Sequence, residues 1–152
     1  GFKNYSKITS SLYCELLNLM EVGKADFTGT FKSLKATLIK EDDTIFLNNF
    51  RNSDKDNQCA NGQWLDAWRK LLQENSESKT EAIELLRSSN PEFIMRNHLV
   101  ENAIGKATKG DFSDFDILCD LLISPFEVKY HHEAFYRAPK DSEVVHQTFC
   151  GT

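Results

Sequence analysis

The chain has 152 residues, of which 40% are hydrophobic and eleven are Phe, enough apolar material for a buried core and too much for wholesale disorder. Seven Gly and three Pro are too few for a turn-dense all-β fold. A formal net charge of −5 without a basic cluster argues against a nucleic-acid partner, and no apolar run is long enough to cross a bilayer.

Helical periodicity dominates from the start. Ser10 or Ser11 is positioned to cap a first helix whose apolar face carries Leu12, Leu16, Leu19 and Met20, with Gly23 closing it. Asp26 opens a second helix, with Phe27, Phe31 and Leu34 spaced by four and three. Residues 41–50 form a short helix with Ile45, Phe46 and Phe50 on its apolar side. The polar stretch 52–58 reads as a loop. Asn61-Gly62-Gln63 leads into an amphipathic helix carrying Trp64, Leu65, Trp68, Leu71 and Leu72, and residues 81–86 add a short helix after an exposed connection.

Asn90-Pro91 reads as a helix start, Asn capping and Pro taking the first turn where its missing N–H costs nothing. That helix carries Phe93, Ile94, Leu99 and Ile104 and stops at Gly110. Asp111 begins the last regular helix, with Phe112, Phe115, Leu118, Leu121 and Leu122 facing inward, and Pro125 ends it. The expected fold is therefore all-α: a multi-helix bundle over residues 1–125, followed by an extended C-terminal tail over 126–152 packed on the bundle or on a larger core.

Motifs that carry chemistry are scarce. No G-x-G-x-x-G or G-x-x-x-x-G-K turn is present to let backbone approach phosphates, and there is no G-x-S-x-G elbow or H-E-x-x-H. Asp26-Phe27-Thr28 and Asp111-Phe112-Ser113 look superficially like the metal-binding D-F-G of kinases. Each runs into a helical pattern and lacks the glycine, so the Asp is expected to cap a helix and the Phe to enter the core. His131, His132, His146 and Cys150 gather near the end, where surface histidines are the default expectation over a zinc site. Cys14 and Cys119 sit among leucines and are expected in the core. No catalytic, cofactor-binding or metal-binding residue is assigned.

The order of several segments is more informative. Asn90-Pro91-Glu92-Phe93-Ile94-Met95-Arg96-Asn97 resembles the N-P-x-(aromatic)-(aliphatic)-(aliphatic)-R-N signature of the selenoprotein O family. Ala103-Ile104, Ala107, Gly110-Asp111-Phe112, Leu121-Leu122, Pro125-Phe126, Tyr136 and Pro139 follow at family-like distances. Upstream, the run from Lys24-Ala25-Asp26-Phe27-Thr28 to Leu34 is similar to the family's A-D-(F/Y)-T-x-x-F-R-x-L, with Lys32 in place of the usual Arg. Trp64-Leu65-Asp66-Ala67-Trp68 falls where the family has a Trp-containing helix, and Cys150 is third from the end, as is the family's Sec or Cys.

The resemblance implies that the chain is the C-terminal helical scaffold or regulatory region of a pseudokinase-fold protein adenylyltransferase. The parent would transfer AMP from ATP to Ser, Thr or Tyr hydroxyls of proteins, with Mg²⁺ or Mn²⁺, from an active site upstream of this segment. The segment alone would then have no activity and no cofactor. Its expected partners are the N-terminal kinase-like core of the same parent and the parent's protein substrates, with no nucleic acid and no membrane. Arg96, Asn97, Trp64 and Trp68 are the candidate interface with that core, and Cys150 is the candidate redox thiol. The expected location is cytoplasmic for a bacterial parent, mitochondrial for a eukaryotic one, with the former preferred. The rival reading is a stand-alone helical protein–protein interaction module docking through Trp64, Trp68 or the tail.

Overall fold

The computed structural model describes residues 2–4, 6–52, 54–75, 78–145 and 147, with Tyr130 described by its backbone alone. Among these residues there are α-helices and 3-10 turns and no β-strand. No helix among them is long and apolar enough to cross a membrane. The chain groups into two compact units, Gly1–Asn90 and Pro91–Thr152.

Among the described residues the first unit holds five helices: α1 (Lys7–Val22), α2 (Phe27–Lys40), α3 (Thr44–Leu47), α4 (Lys55–Glu74) and α5 (Lys79–Ser89). Capping residues set most of the starts. Ser6, not Ser10 or Ser11, begins α1, because its hydroxyl and Thr9 satisfy each other's backbone N–H reciprocally. Asp26 and Asp54 accept the N–H groups of Gly29 and Asn57, and Ser78 with Glu81 forms a second capping box. α1 packs on α4, α2 on α5 and on α3, and α3 on α4.

Their shared core runs from Leu12, Leu16 and Met20 on α1 through Leu34 and Phe46 to Trp64, Leu65, Trp68, Leu71 and Leu72 on α4, closed by Ala82 and Leu86 on α5. Phe46 is wholly buried, worth about 1.5–3 kcal/mol for such a side chain. Its ring stacks on Trp64 at 5.6 Å, and Trp64 stacks on Trp68 at 6.2 Å.

The second unit holds α6 (Asn97–Ala107) and α7 (Ser113–Ile123), followed by 3-10 turns at Tyr130–Phe135 and Asp141–Glu143. Asn90-Pro91 does not start a helix. Asn90 closes α5, its N–H and side-chain amide both donating to the Leu86 carbonyl, and the chain runs non-helically to Arg96. An Asn followed by Pro suits a helix stop as well as a start, since Pro disfavours helical backbone in the residue before it. The extended run places Phe93 in a small core with Leu99, Ala103, Leu118 and Leu121, against which Ile117, Phe135 and Tyr136 pack. The Phe93 N–H donates to the Pro125 carbonyl at 3.0 Å, fastening the run to the end of α7.

Several inward-facing expectations are corrected. Phe27, Phe112 and Phe115 are 59%, 56% and 54% exposed, and Leu122 and Ile104 are also exposed, whereas Leu118 and Leu121 are buried. In the second unit two helices need bury only one stripe each, so Ile104, Phe112, Phe115 and Leu122 stay outside, while Phe27 is the first residue of α2 in the other unit. Cys14 and Cys119 are exposed free thiols, as is Cys59.

Candidate functional site

Trp64 and Trp68 lie one turn apart on the side of α4 that meets α1 and α3. They retain 6% and 2% of their exposure, and the Trp64 indole N–H donates to the Leu12 carbonyl at 2.9 Å. Both indoles are therefore interior packing rather than docking anchors, which removes them from the candidate interface. The bond to Leu12 explains why burial of Trp64 is tolerated: an indole N–H left unpaired would offset much of what the ring gains.

Arg96 and Asn97 stand at the entrance to α6, Arg96 half-buried and Asn97 exposed. The Arg96 carbonyl accepts the N–H groups of Leu99 and Val100, so the residue is fixed by backbone as the helix begins. Next in sequence, His98 is 4% exposed, and its Nε2 finds no hydrogen-bond partner among the described residues. Burial pushes its pKa below the ordinary value; the Glu143 carboxylate opposes this, while the Arg137 and Arg96 guanidinium groups add to it. Glu143 is itself held down at about 2, chiefly by the Arg137 guanidinium, whose two nitrogens donate to it at 2.5 and 2.6 Å. The Lys140 N–H adds a third bond at 2.8 Å.

In the first unit a cavity of about 450 Å³ is lined by Thr37, Leu38, Leu72 and Ala82, with Glu41, Asp43, Arg69 and Lys79 among its charged groups. Arg69 forms a two-pronged ion pair with Asp43, which keeps the Asp43 carboxyl below its usual range. Lys79 donates to Glu41 at 2.5 Å and lowers that carboxyl likewise. Two cations and two carboxylates cancel, so this rim has no surplus positive charge with which to hold a polyphosphate. The Thr37 hydroxyl oxygen is buried without a hydrogen-bond partner among the described residues.

The pseudo-D-F-G segments resolve as helix starts. Asp26 caps α2 through the Gly29 N–H at 2.6 Å, and Asp111 accepts the Ser113 N–H at 3.0 Å where α7 begins. The phenylalanines that follow are exposed, against expectation.

One grouping joins two histidines adjacent in sequence to a residue that the sequence pattern does not connect with them. Asp120 on α7 comes together with His131 and His132 from the following 3-10 turn, the three offering ligand atoms within 4.8 Å of one another. Sequence spacing hides it, because the chain reverses after Pro125 and brings a helix residue back to partners eleven and twelve positions on. Lys129 donates to the Asp120 carbonyl at 2.8 Å and pairs with its carboxylate at 2.7 Å, which lowers the Asp120 pKa. His98 and its Arg137–Glu143 neighbours are equally illegible, having no periodic signature. His146 and Cys150 lie outside the described residues.

The family profile described as "Protein adenylyltransferase SelO" matches residues 1–123. The chain belongs to the SelO family. Among curated SelO-like relatives, "Protein nucleotidyltransferase YdiU" of Rhizobium meliloti (strain 1021) is 42% identical over 139 residues, covering 90% of this chain and 27% of the relative. The protein of the same name from Clostridium perfringens (strain SM101 / Type A) is 34% identical over 137 residues, covering 90% of this chain and 26% of the relative. That from Bacillus cereus (strain ATCC 10987 / NRS 248) is 34% identical over 143 residues, 93% of this chain and 27% of the relative. The chain thus spans about a quarter of the length of these relatives. No solved structure matches it significantly. The SelO-like segments named from sequence occupy the α1–α2 junction, the middle of α4, and the extended run into α6.

Proposed function

We propose that this chain is the helical C-terminal scaffold of a larger SelO-type protein adenylyltransferase, and that the groups handling nucleotide and metal belong to the rest of that polypeptide. The observation that carries this reading is the apolar side of α7. Phe112, Phe115, Leu122 and Ile123 are exposed, Ile123 at 82%, in a chain that spans about a quarter of its relatives. An apolar face on a small helical unit is a surface for another body of protein. The kinase-like core of the same parent is the partner this reading assigns to it.

On this reading the parent moves AMP from ATP to a Ser, Thr or Tyr hydroxyl of a protein, releasing pyrophosphate, with Mg²⁺ or Mn²⁺ offsetting the phosphate charge. A bacterial parent would act in the cytoplasm. Arg96 and Asn97 remain candidate contacts with the core, and Cys150 the thiol whose oxidation tunes activity.

The test is AMP transfer from labelled ATP to an acceptor protein with Mg²⁺ or Mn²⁺. The longer polypeptide should label the acceptor and the 152-residue chain should not; robust transfer by the chain alone contradicts the assignment. Run with and without thiol reductant, the same assay on a Cys150→Ser parent should lose its redox response, and an unchanged response removes that part of the reading.

A further inference from the structure

Neighbouring histidines ordinarily diverge, because successive residues of a 3-10 turn point about 120° apart. Here the turn is broken at His132, whose backbone (φ −123°, ψ 29°) leaves the helical region. The break brings the two imidazoles together, with ring centroids 4.1 Å apart and planes tilted by 59°. Asp120 meets them from α7, so that one ligand atom from each residue lies within 4.8 Å of the others.

The segment carrying the histidines is fastened independently of them. Lys129 reaches back to both the carbonyl and the carboxylate of Asp120. The Tyr136 hydroxyl accepts the Lys129 N–H at 2.8 Å and donates to the Glu127 carbonyl at 3.4 Å, closing residues 127–136 into a ring of chain. His132 also packs edge-on to Phe135, which joins Tyr136 against the core of the second unit. The imidazoles are therefore presented by an anchored segment, and their common neighbour is a carboxylate.

We propose that Asp120, His131 and His132 form a binding site for one divalent transition cation of the zinc class, which staples the 3-10 turn at Tyr130–Phe135 to α7. Two imidazole nitrogens and one carboxylate oxygen are the donor set of zinc and its neighbours, whereas magnesium and calcium prefer oxygen alone. Zinc bound at about 2.0–2.1 Å by nitrogen and oxygen places tetrahedral ligands about 3.4 Å apart. The present separations close to that by side-chain rotation, since Asp120 and His131 are exposed and His132 half-buried. Lys129 holds Oδ2 of Asp120, and a carboxylate has two oxygens, so ammonium and metal can share it. Water completes the coordination. The interaction exchanges bound water for protein ligands, and no covalent or redox step is involved.

The experiment uses the untagged chain, Zn²⁺ in competition with a chromophoric chelator, and Co²⁺ as a spectroscopic probe. One equivalent of Zn²⁺ should bind, and Co²⁺ should give the visible absorption of a low-symmetry site. Losing an outer partner of a metal ligand weakens affinity by about 10–100-fold, so removing a ligand should cost at least as much. Asp120→Asn, His131→Ala and His132→Ala should each therefore weaken Zn²⁺ by about tenfold or more, while His146→Ala and Cys150→Ser bind as the unaltered chain does. Far-UV circular dichroism of each variant, matched to the unaltered chain, separates a lost ligand from a lost fold. The proposal is overturned by the absence of one-to-one binding, by binding that survives all three substitutions, or by binding that vanishes with His146 or Cys150 instead.

Discussion

At the scale of single residues, His98 is the group most at odds with its surroundings. A buried imidazole with an unpartnered Nε2 resists protonation, and burial lowers its pKa below the ordinary value. The unfolded chain then takes up a proton that the folded chain refuses. Stability contributed by this site is fully present above the unfolded histidine pKa of about 6.5 and falls as pH drops through the lower folded value. The groups facing His98 temper the effect in both directions, Glu143 favouring the charged ring and Arg137 and Arg96 disfavouring it. Denaturant midpoints measured from pH 7 to pH 5 should fall for the unaltered chain and fall less for His98→Gln, which removes the titration but keeps a polar group. Equal slopes for the two proteins would show that His98 does not set the acid response. A stability loss from Glu143, whose carboxyl is held down at about 2, would set in only as pH falls below about 4.5.

At the scale of elements, the helix starts and stops show how far sequence reaches. The 3.6-residue spacing of Leu12, Leu16 and Met20, or of Trp64, Leu65, Trp68 and Leu72, reports a buried stripe, and each of these residues is buried. Boundaries are less legible because one residue type serves two ends. Asn90 closes a helix where its sequence context suits an opening, and Ser6 outcompetes Ser10 because Thr9 completes its capping box.

Gly23 reads as a helix stop from residue type alone, and its place in the structure adds a steric reason. A Cβ there would lie 2.5 Å from Cδ1 of buried Phe50 and 3.0 Å from the Leu19 carbonyl oxygen. At Gly62, inside α4, an added Cβ would meet nothing within 4 Å. The same substitution should therefore have opposite signs. Gly23→Ala should destabilise by about 1–3 kcal/mol through overpacking, and Gly62→Ala should stabilise by about 0.5–1 kcal/mol through helix propensity. Chemical denaturation of both variants checks this, and shifts of the same sign would refute the contrast.

At the scale of the whole molecule, the apolar inventory exceeds what the described fold buries. Periodicity assigns Phe112, Phe115 and Leu122 to the interior, because a sequence pattern marks a side chain as wanting cover without saying which body supplies it. The aromatics of α4 show the converse, since a candidate docking pair is held inside by Leu12 and Phe46. The site at Asp120 is beyond reach for a third reason, depending on a chain reversal and on a single non-helical residue at His132. If the exposed side of α7 is cover for a larger fold, the chain in isolation should seek the same cover from its own copies. Burying each such side chain is worth about 1.5–3 kcal/mol, and about 1.4 kcal/mol is a tenfold change in affinity. Sedimentation velocity over a concentration series should show reversible association of the unaltered chain. Phe115→Ser combined with Ile123→Ser should weaken it by about a hundredfold or more while leaving helicity unchanged, because both positions are outside the core. A chain that stays monomeric at the highest concentration, or an association indifferent to both substitutions, would mean that this face is not a surface awaiting a partner.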